Sequence, residues 1–145
     1  MNLGGKMEET IISLYLFYGA VRDVVTKKVP VWYLFLGGII IILYSWDKKT
    51  TGISSYVYAM IPGLIFLLYR FIKKEGIGYA DGIMLCFLGI QLGSEVWKVC
   101  CLSLVFISVF SLILLVLKKI SLNTKLPYYP FLFGAYLVCY GVRYV

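Results

Sequence analysis

The fold is organised around Gly76–Leu85, a ten-residue stretch with the sequence GIGYADGIML. It places an aspartate, Asp81, among small residues at the start of a strongly apolar segment. A carboxylate at a membrane boundary is costly, so this position is a functional candidate. A second candidate, Asp23, lies in Tyr18–Val25, with the sequence YGAVRDVV. We predict that the two aspartates meet in the folded protein.

The composition predicts an all-α, polytopic membrane protein. Of the 145 residues, 61% are hydrophobic and only 14% are charged, and the mean hydropathy is +0.90. A soluble domain carries about 25% charged residues. The length suits one transmembrane domain spanning residues 1–145. The net charge of +7 falls between apolar runs, which fits contact with anionic lipid headgroups. No basic stripe with base-stacking aromatic residues indicates nucleic-acid binding.

The residue types exclude several kinds of active site. The chain has no histidine, which removes a Ser-His-Asp triad, a Cys-His pair and an HExxH zinc site. The four cysteines lie in apolar runs without the CxxC spacing of a zinc site, so we assign them to packing. The apolar run at the N-terminus ends in Arg22-Asp23 without a small-residue cleavage site, which argues against a cleavable signal peptide.

Six apolar segments predict a bundle of six transmembrane helices. A span needs about 20 apolar residues, within a range of roughly 17–25. The segments are defined by the length of each apolar run and by the charged residues that separate the runs, rather than by periodicity. They are Thr10–Val25, Val29–Trp46, Gly52–Ile72, Ile77–Gly93, Val96–Leu117 and Leu126–Val142.

The distribution of lysine and arginine predicts the orientation of the bundle. Nine of the fourteen fall on one side, which the positive-inside tendency makes cytoplasmic, and both termini are then outside. Lys48 and Lys49 oppose this bias. The first segment runs inward and ends near Asp23, whereas the fourth runs outward and begins near Asp81. Both aspartates are therefore predicted at the cytoplasmic end.

Each aspartate also has a purely structural interpretation. Asp81 is a plausible helix N-cap. A helix from Gly82 to Gly93, however, spans only ~18 Å of a ~30 Å hydrocarbon core, so we expect the helix to begin near Ile77 and to include Asp81. For Asp23 the structural alternative is an ion pair with Arg22, but adjacent helical side chains do not face each other.

Two adjacent carboxylates share a proton because they cannot easily both ionise. One then activates water as a general base while the other protonates or hydrogen-bonds a scissile carbonyl. This chemistry needs no metal or organic cofactor. A serine-lysine peptidase is a weaker alternative, because every lysine lies at a segment end or in a loop. A small proton-coupled transporter and a non-catalytic assembly protein of a pilus or secretion system are the remaining alternatives.

The chain resembles the type IV prepilin peptidase family, particularly its short forms. That family pairs an Asp followed by Ile-Pro-Asn with a Gly-x-Gly-Asp signature. Here Asp23 is followed seven residues later by Pro30, and Gly78–Asp81 reads GYAD, preceded by Gly76. Leu126–Leu132, with the sequence LPYYPFL, is similar to the Pro-x-x-Pro-Phe pattern of the family's last helix.

The resemblance implies Asp23 and Asp81 as catalytic residues, with Gly76, Gly78, Ala80 and Pro30 supporting them. It implies removal of a short basic leader, after Gly, from a prepilin or pilin-like precursor at the cytoplasmic face of the cell membrane. Three departures from the family pattern stand beside these positions: Val31 for Asn, Ala80 for Gly, and Ile83 where many members carry Lys. N-methylation is not expected, because the insertion with paired cysteines found in long members is missing.

Two further expectations concern packing. Aromatic residues near segment ends, including Trp32-Tyr33 and Tyr128-Tyr129, are assigned to the membrane interface without a catalytic role. Glycines within the segments are expected to allow close helix approach or local kinks. They are Gly37, Gly38, Gly63, Gly89, Gly93 and Gly134.

Overall fold

The computed structural model describes residues 3–45, 52–73, 78–121 and 125–141, and this part of the chain contains helices and no strand. One α-helix lies within or across each predicted segment. The helices are α1 (Leu3–Thr26), α2 (Val31–Ser45), α3 (Ile53–Lys73), α4 (Tyr79–Leu92), α5 (Val96–Val116) and α6 (Tyr129–Tyr136). A 3-10 turn, Gly93–Glu95, joins α4 to α5, and a π-helix, Leu137–Gly141, continues α6.

The surface of the long helices suits a membrane protein. Helix α3 and the continuous helical run Tyr79–Val116 are both long and apolar enough to cross a bilayer. Only 22% and 17% of their most apolar windows are buried, whereas the core helix of a soluble protein is mostly buried. Large apolar side chains instead face outward, such as Phe71 at 75% exposure and Val116 at 70%. The short helix α2 is similarly apolar.

Helices α3 and α4 form the closest helix pair, because glycines remove side chains from their contact. A Cβ atom on Gly89 would lie 2.2 Å from the Ala59 carbonyl oxygen, and one on Gly63 would lie 2.7 Å from the Gly82 carbonyl oxygen. Backbones that approach this closely exchange dispersion contacts along the whole pair. The prediction of close approach is confirmed at Gly63 and Gly89.

The other glycines differ in what they accommodate. Gly37 receives the Tyr15 ring and Gly38 the Phe87 ring, so α2 packs closely on α1 and α4. Gly134 has nothing closer than 3.9 Å, and its contact with Phe106 is ordinary packing. Gly93 has a φ of +58°, a backbone conformation that favours glycine, and it turns the chain between α4 and α5.

Helices α1 and α4 are antiparallel, which determines where the two aspartates lie. Near the beginning of α1 and the end of α4, Gln91 Nε2 donates a hydrogen bond to Glu8 Oε2 at 3.2 Å. Asp23 and Asp81 are at the opposite ends of these two helices. Both carboxylates therefore lie at one end of the bundle, as the run of the segments predicts.

We expect Gly89→Ala to destabilise the protein, because its methyl group would overlap the Ala59 carbonyl in a contact that backbone atoms cannot vacate. Overpacking of this kind costs about 1–3 kcal/mol. Thermal unfolding of the purified protein in detergent, followed by tryptophan fluorescence, measures the loss. Gly134→Ala is the matched control, and its unfolding temperature should equal or exceed that of the wild type. Equal unfolding temperatures for the two variants would contradict the α3–α4 packing described above.

Candidate active site

Asp23 lies in the last full turn of α1 and contacts the beginning of α6. Its Oδ2 accepts a hydrogen bond at 3.2 Å from the backbone N–H of Tyr129, the first residue of α6. The first N–H groups of a helix have no partner within the helix. Asp23 therefore satisfies one of them from outside, and the partial positive charge of the helix end favours its carboxylate.

Asp81 lies in the first turn of α4, at its third residue. The helix begins at Tyr79, after Gly78 as N-cap, so Asp81 is inside the helix and is not its N-cap. The helix thus begins two residues after the expected Ile77, and it includes Asp81 as predicted. Asp81 Oδ2 accepts the backbone N–H of Gly78 at 3.1 Å, which is the returning half of a capping box. A Cβ atom on residue 78 would lie 3.2 Å from that oxygen, so glycine leaves space for the carboxylate.

The two carboxylates lie at the same end of the antiparallel helices α1 and α4. Both are partly shielded from solvent. Within the described ranges, neither aspartate has a lysine or arginine as its salt-bridge partner. The neighbouring Arg22 does not pair with Asp23, and its Nε is buried without a hydrogen-bond partner. Each carboxylate is instead anchored by a backbone donor.

Tyr129 is a site residue that sequence reasoning missed. The assignment of Tyr128 and Tyr129 to the membrane interface was wrong, because Tyr128 is 6% exposed and Tyr129 is completely buried. The Tyr129 ring lies against Gly19, whose added Cβ would be 2.9 Å from two ring atoms. Gly19 precedes Asp23 by one helical turn on the same face of α1. The sequence signal for this contact is the spacing of Gly19 and Asp23, because a glycine one turn before the aspartate leaves room for a large side chain.

Tyr33 is a second correction to the interfacial assignment. It is 8% exposed, whereas its neighbour Trp32 is 61% exposed and does face outward. The Tyr15 hydroxyl donates to the Tyr33 carbonyl at 3.1 Å, and the Tyr33 hydroxyl donates to the Tyr15 carbonyl. Their rings stack with centroids 4.5 Å apart. This reciprocal pair joins α1 to α2 directly beside Tyr129.

The remaining predicted positions have supporting places in the structure. Pro30 lies immediately before α2, and its carbonyl accepts the Tyr33 N–H at 3.1 Å. Ala80 packs against the core beside Asp81. Gly76 lies outside the described residues. The cysteines form no disulfide, and the described ranges contain no group of residues suited to a metal ion.

Two cavities lie away from the aspartates. One of about 350 Å³ lies between α1 and the end of α6 and is bordered by Glu9, Thr10 and Tyr140. A smaller one of about 30 Å³ lies beside Glu8 and Gln91. Both border the beginning of α1, at the end of the bundle opposite Asp23 and Asp81. The chemistry of the residues therefore locates the candidate site, rather than the size of a cavity.

The described residues form an all-helical fold with apolar outer surfaces that suit a membrane protein, and the two candidate carboxylates lie at one end of its bundle. Comparison with family models identifies it further: residues 10–117 match the model of the type IV leader peptidase family, and the chain belongs to that family. The matched range contains both aspartates and ends before α6. Searches among curated proteins and among solved structures gave no match.

We expect Asp23→Asn and Asp81→Asn each to raise the thermal unfolding temperature by about 2–4 °C for each kcal/mol of relieved repulsion. Asparagine keeps the oxygen that accepts the Tyr129 or Gly78 N–H, and it removes one of two like charges. Differential scanning fluorimetry in detergent at neutral pH measures the change. Asp81→Ala is the control that also loses the hydrogen bond to Gly78, and it should be less stable than Asp81→Asn. Two asparagine variants that are both less stable than the wild type would contradict electrostatic repulsion at the site.

Proposed function

We propose that this protein is a membrane aspartyl endopeptidase that removes the short basic leader of a type IV prepilin or pilin-like precursor, cutting after Gly. Its catalytic residues are Asp23 and Asp81. The observation that carries the proposal is that both lie at one end of the bundle, within the range matched by a family of leader peptidases. Family membership supports a peptidase in general, and the dyad supplies the specific chemistry.

The dyad accounts for hydrolysis without a metal or an organic cofactor. Each carboxylate engages a backbone N–H through Oδ2, which restricts its rotation. One carboxylate, as base, takes a proton from a water molecule while that water attacks the carbonyl carbon of the Gly residue. The other, as acid, gives its proton to the carbonyl oxygen. The resulting tetrahedral diol collapses: one of its hydroxyls returns a proton to the second carboxylate, the C–N bond breaks, and the leaving amine takes the proton that the first carboxylate had taken from water.

The position of the dyad at the end of the bundle fits the chemistry of a leader peptide. A basic leader stays in water and at the headgroups, while the apolar helix that follows it enters the bilayer. The bond between them consequently lies at the membrane boundary. Asp23 and Asp81 are only partly buried and stand at the ends of α1 and α4, where water and such a bond can both reach them.

Co-expression with a reporter precursor tests the dyad. The reporter carries a short basic leader ending in Gly before an apolar helix, and leader loss is read as a mass shift. We expect complete processing by the wild type and at least 10³-fold slower processing by Asp23→Asn and by Asp81→Asn, because neither can complete both proton transfers. Glu95→Gln is the matched control. Glu95 lies in the turn between α4 and α5 and forms an ion pair with Lys98 at 2.8 Å. Its processing rate should equal that of the wild type.

Two results would contradict the proposal in different ways. Processing that persists in either asparagine variant would remove the dyad from the mechanism. Failure of the wild type to process any reporter of this type, with the protein folded in the membrane, would favour the non-catalytic assembly protein. The departures at Ala80 and Val31 are the sequence features that such a result would explain.

We further propose that the aspartate end of the bundle faces the cytoplasm. Cysteines introduced at Lys28 and at Ser94, both exposed positions, report the two ends. In intact cells a membrane-impermeant maleimide should label Ser94→Cys, and it should label Lys28→Cys only after permeabilisation. The unmodified protein is the control for its own four cysteines. The reverse labelling pattern would place the dyad outside and would contradict cleavage at the cytoplasmic face.

A further inference from the structure

The Tyr129 hydroxyl has no evident role in holding the fold together. Tyr129 is completely buried, and its hydroxyl has no hydrogen-bond partner within the described structure. Leaving such a group unpaired away from water costs about 1–3 kcal/mol. Phenylalanine would fill the same space against Gly19 without this cost. A buried hydroxyl without a partner in the protein requires an explanation, and an acceptor atom of a bound ligand supplies one.

Tyr129 joins the aspartate site through its backbone, because its N–H donates a hydrogen bond to Asp23. Its ring lies against Gly19, one helical turn before Asp23 on the same face of α1. The other tyrosine hydroxyls nearby, those of Tyr15 and Tyr33, are occupied by each other's backbone carbonyls. Tyr129 is therefore the neutral side-chain donor of this cluster that remains available for substrate.

We propose that Tyr129 is a third catalytic residue, whose hydroxyl donates a hydrogen bond to the carbonyl oxygen of the bond being cleaved. This inference rests on the proposed function. Two carboxylates repel the negative charge that develops on that oxygen during attack by water, and the one shared proton is their means of neutralising it. A phenol held in place by a buried ring supplies a donor with little reorganisation during the reaction.

The packing of the ring explains how the donor is held. Gly19 removes a side chain from α1 where the ring passes, and Pro130, directly after Tyr129, fixes the backbone in the first turn of α6. The same residue thus orients Asp23 through its backbone and presents its hydroxyl through its side chain. Both functions depend on α6, which lies outside the range matched by the family model.

Steady-state kinetics of Tyr129→Phe tests the inference, using the full-length protein in detergent and a peptide with a basic leader ending in Gly followed by an apolar segment. We expect kcat to fall roughly 10²-fold, as for loss of one oxyanion donor, with KM changed less than about twofold. Tyr136→Phe is the matched control, a buried tyrosine two turns further along α6, and its kcat should equal that of the wild type. Tyr129→Phe within about threefold of wild-type kcat overturns the inference.

Thermal unfolding separates catalysis from packing. Because the hydroxyl makes no hydrogen bond, Tyr129→Phe should unfold at or above the wild-type temperature. A fall in kcat together with a lower unfolding temperature would indicate a packing role and would overturn the inference. Asp23→Asn and Asp81→Asn in the same assay report on the dyad itself. If they remain active the proposed function fails, whereas if they are inactive and Tyr129→Phe is active only the present inference fails.

Inhibitor binding gives a second measurement that does not need turnover. Two leader peptides are compared, one with a hydroxyethylene group and one with a plain methylene group in place of the scissile amide. The hydroxyl mimics the tetrahedral diol and should bind the wild type more tightly. Tyr129→Phe should lower that preference at least about tenfold and leave the methylene peptide unaffected. An unchanged preference would contradict a hydrogen bond from Tyr129 to the reacting oxygen.

Discussion

The structure depends on backbone hydrogen bonds that hold two carboxylate side chains at one end of a helical bundle. Isolated carboxylates at a membrane boundary are costly, and a second one nearby adds repulsion to desolvation. The fold offsets this cost with backbone donors rather than with lysine or arginine. Tyr129 N–H bonds to Asp23 and Gly78 N–H bonds to Asp81, and both donors belong to the first turn of a helix. The two carboxylates are thereby kept without a basic partner. Two carboxylates without a basic partner can share a proton.

Packing elsewhere in the bundle serves this arrangement. Glycine contacts bring α3 against α4 closely enough to fix Asp81, while the reciprocal tyrosine bonds fix α1 against α2. At the other end of α1 and α4, Gln91 and Glu8 form a polar contact that keeps the two helices antiparallel. Few large apolar side chains of α3 and α5 take part, since most of them face outward. Small residues allow the closest backbone contacts between α3 and α4, whereas leucine and tyrosine side chains fill the rest of the interior.

The two aspartates illustrate how much a sequence of this kind predicts. Each lies at the end of an apolar run, and run direction alone requires that the end of the first segment and the beginning of the fourth lie on one side. The same reasoning failed for Tyr33, Tyr128 and Tyr129. Aromatic residues near segment ends are usually interfacial, but these three are buried in contacts with other helices, at Gly19, Tyr15 and Ser103. A rule about depth in the membrane contains no information about which face of a helix meets another helix.

The sequence by itself determined the class of the protein, the number of apolar segments and the two candidate carboxylates. These follow from composition and run length, which are one-dimensional properties. Only the tertiary structure decided what surrounds the carboxylates: the N–H of a helix more than a hundred residues away, a tyrosine ring seated on Gly19, and a hydroxyl without a partner. Those contacts depend on how α1, α2, α4 and α6 pack together. No local pattern encodes them, because each is formed between helices that are distant in sequence.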